Sequence, residues 1–342
     1  MRSRSPLLAV SLVALLGACA GADDPTPTSP AATGPAAEAD FPVTVEHAFG
    51  ETTIEAPPER IAAVAWANHE VPLALGVVPV GMAAASWGDD DGDGVLPWVE
   101  AELEALGAEV PVLFDETDGI DVEAVADTQP DLILAAYSGL TQEEYDTLSR
   151  IAPVVAYPEL AWATSVEDMI AMSSRAMGME DQGEQLIADL DDQVATTFAD
   201  HPELADRSVM FASLDPNDLS SIGFYTTHDT RSAFLHDAGL VVPEVVADRS
   251  ESSQAFFETI SAEEADRLDD VDVLITYGDP DGSTLELYRD DPLLSRIPAV
   301  ERGSVVVLED STPLAAAANP SPLSIDATLD TYVDLLAEAA AR

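Results

Sequence analysis

The chain has 342 residues, with 13 Lys and Arg against 65 Asp and Glu, and a formal net charge of −52. Lysine does not occur, every cation being an arginine, which excludes nucleic-acid binding through a basic stripe, Walker-A phosphate binding and Schiff-base catalysis. Hydrophobic residues at 47% still give a globular composition with enough apolar surface for a core. The acidity suits solubility first, and also a high-salt medium or a cationic cargo.

In chain order, Arg2 and Arg4 precede an apolar run over 6–16, too short to span a bilayer. This is the pattern of an export signal. Leu16-Gly17-Ala18-Cys19 has the form of a bacterial lipobox, so residues 1–18 are expected to be removed and Cys19 to carry lipid, holding the chain on a membrane without a spanning helix. An ordinary signal peptide with an incidental cysteine is the alternative. Cys19 is the one cysteine, which leaves no internal disulfide and no multi-cysteine metal site. Residues 21–40 hold Pro, Thr, Ala, Ser, Gly and acids with nothing bulky to bury, so 19–40 reads as a lipidated, disordered tether.

The alternation over 43–50 and 52–54 predicts a β-hairpin ended by Pro57-Pro58. Residues 61–65 form a short buried strand, Asn68 caps a helix through Leu75, and Gly76 ends it before a strand at 77–80. Asp89-Asp90-Asp91-Gly92-Asp93-Gly94 and the following residues to Glu100 satisfy the spacing of a calcium loop, with Asp89, Asp91, Asp93 and Glu100 as ligands. Residues 83–87 are too short for a clear entering helix, and a solvated acidic loop is the competing reading. Strands follow at 131–135 and 153–157, separated by a helix at 142–151. A helix over 181–200 carries the stripe Leu186, Leu190, Val194 and Phe198, broadened by Ile187. The alternation then restarts with 208–212, 234–239, 271–276 and 304–308.

The fold class is therefore α/β: two lobes flanking one long helix, with an N-terminal lobe at 41–164, a connecting helical segment at 165–205 and a C-terminal lobe at 206–342. An internal repeat supports this division. Residues 120–124 lead to the strand at 131, and 260–264 lead to the strand at 272, with Asp121 or Ser261 placed to cap a short helix whose first turn holds Glu123 or Glu263. Capping alone explains each glutamate, but not the recurrence of the unit in both halves.

With the lipobox, the hairpin running into Pro57-Pro58-Glu59-Arg60-Ile61, Leu75-Gly76-Val77-Val78-Pro79-Val80-Gly81 and Gln129-Pro130-Asp131-Leu132-Ile133, the chain resembles iron-siderophore substrate-binding lipoproteins of ABC importers. Ser138-Gly139-Leu140, Ile151-Ala152-Pro153-Val154-Val155, Asp291-Pro292-Leu293-Leu294, Ile297-Pro298-Ala299-Val300 and Ser321-Pro322-Leu323-Ser324 fit the same family, so the likeness covers 41–342. The resemblance implies two Rossmann-like lobes joined by one rigid helix, with cargo in the cleft between them. It also implies a lipid-anchored monomer on the outer face of the cell membrane that delivers a ferric siderophore to an ABC permease. Glu123 and Glu263 match the family's pair of permease-docking acids. Catecholate, hydroxamate and citrate-type siderophores, heme and cobalamin all suit such a scaffold, although none of the five histidines sits in a heme motif.

A bulky, partly apolar metal complex calls for aromatic walls with a few arginines or hydroxyls. Trp66, Trp87, Tyr137, Trp162 and Tyr225 lie at expected strand ends or loops, where α/β sheets place ligands. Core packing is the other reading of each. Arg231 and Arg249, both expected in loops of the second lobe, are placed to meet ligand oxygens or else to form surface salt bridges. No cofactor other than the lipid and the optional calcium is implied. The chain lacks G-x-S-x-G, H-E-x-x-H and a G-x-G-x-x-G after a strand, so it is not expected to be an enzyme. An exported hydrolase would need a serine activated by His228 or His236, and the α/β alternation disfavours a repeated adhesive module.

Overall fold

The computed structural model describes residues 41–342; Cys19, the apolar run before it and the expected tether lie outside the described residues. The chain begins with the antiparallel pair β1 (Val43–His47) and β2 (Gly50–Ile54), which buries Val45 and Ile54. The first lobe then runs β3 (Ile61–Ala63), α1 (Glu70–Ala74), β4 (Gly81–Ala83), α2 (Pro97–Leu106), β5 (Val112–Phe114), α3 (Val122–Asp127), β6 (Leu132–Ala135), α4 (Gln142–Leu148) and β7 (Val154–Ala156). Its sheet has the order β5-β4-β3-β6-β7 and is parallel throughout. Helices cover both faces of such a sheet, which is why its strands are unbroken apolar runs such as Leu132-Ile133-Leu134-Ala135, each residue buried.

Two helices follow, α5 (Val166–Ala176) and α6 (Glu180–Ala199), the latter of 20 residues and lying where the stripe predicts it. The second lobe holds β8 (Val209–Asp215), β9 (Asp218–Tyr225), α7 (Thr230–Asp237), α8 (Glu244–Ser252), β10 (Phe257–Ser261), β11 (Val273–Gly278), α9 (Ser283–Asp290), α10 (Pro298–Arg302), β12 (Val305–Glu309), α11 (Pro313–Ala317) and α12 (Pro322–Ala340). Its sheet order, β10-β9-β8-β11-β12, repeats that of the first lobe position for position. Consequently α3, before β6, and the 3-10 helix Ala262–Leu268, before β11, occupy equivalent places. Asp121 and Ser261 cap them as expected, accepting from the amides of Ala124 and Glu263.

The lobes differ in one respect that the sequence reading missed. β9 runs antiparallel to both β8 and β10, so this half is a mixed sheet. Asp218-Leu219-Ser220-Ser221-Ile222-Gly223 hides its strand character behind serines and a glycine. Gly223 is required by close approach: a Cβ there would stand 2.4 Å from the Phe257 ring and 2.6 Å from the Ser213 carbonyl.

Two local expectations are corrected. The strand expected at 77–80 begins instead at Gly81, because the Val77 amide bonds back to the Pro72 carbonyl, Pro79 has no N–H, and the ladder to β3 starts only where Gly81 meets Ala62. Asn68 does not cap α1, whose N-cap is His69; its buried side chain is used elsewhere. The lobes are tied by more than α6. The C-terminal α12 packs against α1, α2 and α6 and also against β11 and β12. No helix among the described residues is long and apolar enough to cross a membrane.

Candidate functional site

In the parallel sheet the strand order reverses between β3 and β6, and ligands of open α/β sheets settle at such a switch point, beyond the strand ends. Trp66 follows β3 and Tyr137 follows β6, so both flank that point. Trp87 comes from the loop after β4 and Trp162 from the loop after β7. The second lobe faces them with Asp229 and Arg231 at the start of α7 and Phe256 before β10, while Asn319 lies just ahead of α12. Together these side chains wall a cleft of about 280 Å³.

The aromatic wall is held by backbone geometry that ordinary residues avoid. Ala65 and Ala67, on either side of Trp66, both have φ of 60°, and Trp162 has φ of 61°, left-handed conformations that persist only where surroundings impose them. Asn68 braces the turn that holds the first two. Its Nδ2 donates to the carbonyls of Val64 at 2.8 Å and Tyr137 at 2.9 Å, and its Oδ1 accepts from the Tyr137 amide at 2.9 Å, so one fully buried amide couples the loops after β3 and β6. The Trp162 amide donates to Ser138, and the indole lies over Gly139, where a Cβ would sit 2.2 Å from its Nε1. Tyr137 and Trp162 then meet edge to face, with centroids 5.5 Å apart.

Arg231 is the one arginine among the lining residues. Its Nη1 donates to Asp229 at 2.8 Å, its Nε to the Tyr277 hydroxyl at 3.1 Å, and its guanidinium carbon lies 4.5 Å from the centroid of the Tyr225 ring. Burial works against the charged guanidinium, but Asp229 and the surrounding tyrosine hydroxyls outweigh it, so its pKa is raised and it stays protonated. Burial pushes the Asp229 carboxyl up, with Arg231 opposing that rise. Burial likewise pushes the Tyr277 hydroxyl up, keeping it neutral. The pair leaves no net charge at this wall, while the remaining guanidinium N–H groups face no recorded partner among the described residues.

Of the seven candidates, Trp66, Trp87, Tyr137, Trp162 and Arg231 converge on the cleft. Tyr225 is at a strand end as expected, but one layer back at the end of β9, where it supports Arg231; Arg231 itself lies in the first turn of α7 and not in the loop before it. Arg249 belongs to the last turn of α8, again not a loop, and does not line the cleft. Asp229, Tyr277, Phe256 and Asn319 were not anticipated. Asn319 carries a faint signal, standing before Pro320-Ser321-Pro322 at a helix start, whereas Tyr277 in its strand carries none.

Three other features need placing. A side pocket of about 180 Å³ shares Trp66 and Trp162 with the cleft and contains Glu116 and His69. A larger groove of about 610 Å³ runs between α5, α6 and α7, but it offers Glu167, Asp191 and Asp237 and no arginine to meet anionic oxygens, so the smaller cleft is the better candidate. In the acidic loop, Asp89, Asp91 and Asp93 bring carboxylate oxygens within 4.8 Å of one another, and Asp89 accepts from the amides of Gly92 and Gly94. Desolvation, with Asp93, Asp91 and Asp90 nearby, pushes Glu100 up. Such a donor set suits a hard cation. Glu123 and Glu263 are both exposed, on the equivalent short helices already described.

The sequence profile of the family described as periplasmic binding protein matches residues 61–312. A Bacillus subtilis protein named as a probable siderophore-binding lipoprotein, YfiY, is 31% identical over 240 residues, 68% of each chain. The Streptococcus pneumoniae PiaA structure in complex with ferrichrome is 45% identical, covers 87% of this chain and 99% of its own, and superposes with a TM-score of 0.83. A periplasmic solute binding protein from Mycobacterium smegmatis is 29% identical, with 88% and 99% coverage and a TM-score of 0.71.

Proposed function

The chain belongs to the periplasmic binding protein family, and from that premise we propose that it is an extracytoplasmic solute-binding protein that captures a ferric hydroxamate siderophore and hands it to an ABC permease. The observation that carries this reading is the cleft, walled by three indoles and a phenol, with a single guanidinium already neutralised by Asp229. A ferric trihydroxamate is electrically neutral and partly apolar, so it needs stacking surface and a few hydrogen-bond donors. A ferric tris-catecholate is trianionic and would meet one compensated arginine inside a chain of net charge −52. The likeness to PiaA with ferrichrome supports the hydroxamate class. Citrate-type complexes are disfavoured on the same charge argument, and heme is disfavoured because no histidine lines the cleft and its one phenol, Tyr137, is held by Asn319 and kept neutral by burial.

Three of the four tryptophans line the cleft, so fluorescence quenching reads binding directly. A ferric trihydroxamate should quench saturably with a Kd of about 1 μM or below and be recovered chemically unchanged, while a ferric tris-catecholate binds at least about tenfold more weakly. Equal affinity for the iron-free ligand, or turnover of the ligand, would overturn the reading.

The finer parts of the reading rest on the sequence. Lipid on Cys19 anchors the chain, and mass spectrometry of the membrane-extracted protein checks it. Glu123 and Glu263, exposed at equivalent places in the two lobes, are the docking charges for permease arginines. Asp89, Asp91, Asp93 and Glu100 hold calcium, which calorimetry should report as one saturable site that Asp91→Ala removes; diffuse, salt-screened heat would leave a solvated acidic loop.

A further inference from the structure

Glu116 follows β5 and reaches into the side pocket, where it has no cationic neighbour. Its two oxygens share one donor, the Ala65 amide at 2.9 and 3.2 Å, and it forms no ion pair among the described residues. Burial pushes its carboxyl up to about 7, with Glu144 adding to the rise and the Ala65 hydrogen bond opposing it. A half-buried carboxylate with one hydrogen-bond donor is under-satisfied, and a ligand cation or donor would complete it. The pocket has the walls for such a group. Trp66 and Trp162 contribute indoles to its lining, and Met82, Val95 and Leu96 supply apolar surface. His69 lies in the same lining with its Nδ1 buried and unpartnered. Burial holds its pKa near 4, so it is neutral and brings no competing positive charge.

At about 180 Å³ the pocket is smaller than a whole-ligand site of roughly 300–1,000 Å³. Since Trp66 and Trp162 line both spaces, the side pocket adjoins the cleft, within reach of a group extending from a complex held there. We propose that this side pocket is a specificity subsite that takes an alkyl arm of the cargo ending in a primary ammonium, with the Glu116 carboxylate as its counter-ion and the two indoles as its cation–π walls. The assignment rests on the ferric hydroxamate reading of the cleft and adds to it which member of that class is preferred: a linear complex with a free amine end over one that is cyclic or acylated. The strained Ala65–Trp66–Ala67 turn acquires a second purpose here, since the same left-handed Ala65 that positions Trp66 also aims its N–H at Glu116.

The test compares three ferric trihydroxamates on the full chain at pH 8: a linear one with a pentylammonium end, the same complex with that amine acetylated, and a cyclic one without an arm. The free-amine complex should bind at least about tenfold more tightly than its acetylated form, and Glu116→Gln should bring the two within about twofold of each other. Equal binding of free and acetylated forms by the unaltered chain would remove the subsite while leaving the cargo class intact. A preference that survives undiminished in a folded Glu116→Gln, checked by its melting profile, would also overturn the assignment. Failure of all three complexes to bind would instead overturn the hydroxamate reading, and the subsite with it.

Discussion

Arg231 illustrates how neighbours decide what a side chain can do. In an acidic chain a lone arginine is most simply a surface salt bridge, yet here Asp229 is 1% exposed and the Arg231 side chain 18% exposed. The pair is a cleft wall. Removing the cation alone strands a buried carboxylate, so Arg231→Ala should cost about 2–4 kcal/mol in urea unfolding, a little under the usual penalty for breaking a fully buried pair because the arginine keeps some solvent. Cargo affinity should fall by at least about tenfold in the same variant. The double replacement Asp229→Asn with Arg231→Met separates the two effects: stability should largely return and binding should not. Restored binding in the double variant would show that the guanidinium contributes only structure.

At the scale of elements, Glu70 does for the helices what Asn68 does for the loops. It is 1% exposed, and its carboxylate accepts from Trp98 Nε1 of α2 at 2.9 Å and from the Leu323 amide in the first turn of α12 at 3.0 Å. One side chain of α1 therefore joins both ends of the sequence. Burial pushes it from 4.5 up to about 6, against the hydrogen bonds from Ser321, Trp98 and the α12 backbone. Its folded pKa exceeds the unfolded one, so the native state binds the proton more tightly; the resulting stability is fully present below pH 4.5 and is lost as pH rises through about 6. That contribution is about 2 kcal/mol. His69, depressed from 6.5 to about 4 by burial, has the opposite sign, adding stability as pH rises between those values. The two largely offset each other. Glu70→Gln should expose the His69 slope, so that stability climbs more steeply from pH 4.5 to 6.5 than in the unaltered chain. Denaturant unfolding at three pH values in that window measures it, and parallel profiles would refute the assignment.

For the whole molecule, the repeated sheet order gives Glu123 and Glu263 a geometric meaning that local capping lacks. Two exposed carboxylates on equivalent helices of two lobes form a fixed pair, able to set register in a weak, charge-steered encounter. Charge reversal at both should leave cargo affinity within about twofold while weakening transporter capture by roughly 1–3 kcal/mol per site, an effect that shrinks as salt is added. Uptake of labelled ferric siderophore by cells carrying the double variant decides it. Undiminished uptake would reduce both glutamates to helix-capping charges, worth about 0.3–1 kcal/mol of stability each.

Periodicity alone determined the α/β class, the 20-residue α6, the capped repeat helices and the buried strands β3, β6 and β7, because helix and strand patterns are local and each strand buried on both faces is a short unbroken apolar run; it displaced β4 and passed over β5, whose three residues are too few to stand out. Composition, with no lysine and one cysteine, excluded lysine-dependent chemistry and internal disulfides. β9 escaped notice because its pattern is broken by serines and by Gly223, whose reason, the Phe257 ring against it, is thirty-odd residues away. The cleft itself was decided only by tertiary structure. Trp66 and Asn319 stand at opposite ends of the sequence and meet because the β3–β6 switch point and the start of α12 are brought together. Likewise Asp229 turns Arg231 into a compensated wall, and the Ala65 turn leaves Glu116 without a counter-ion. Which charge is paired and which is free depends on distances across the fold, and no spacing along the chain encodes them.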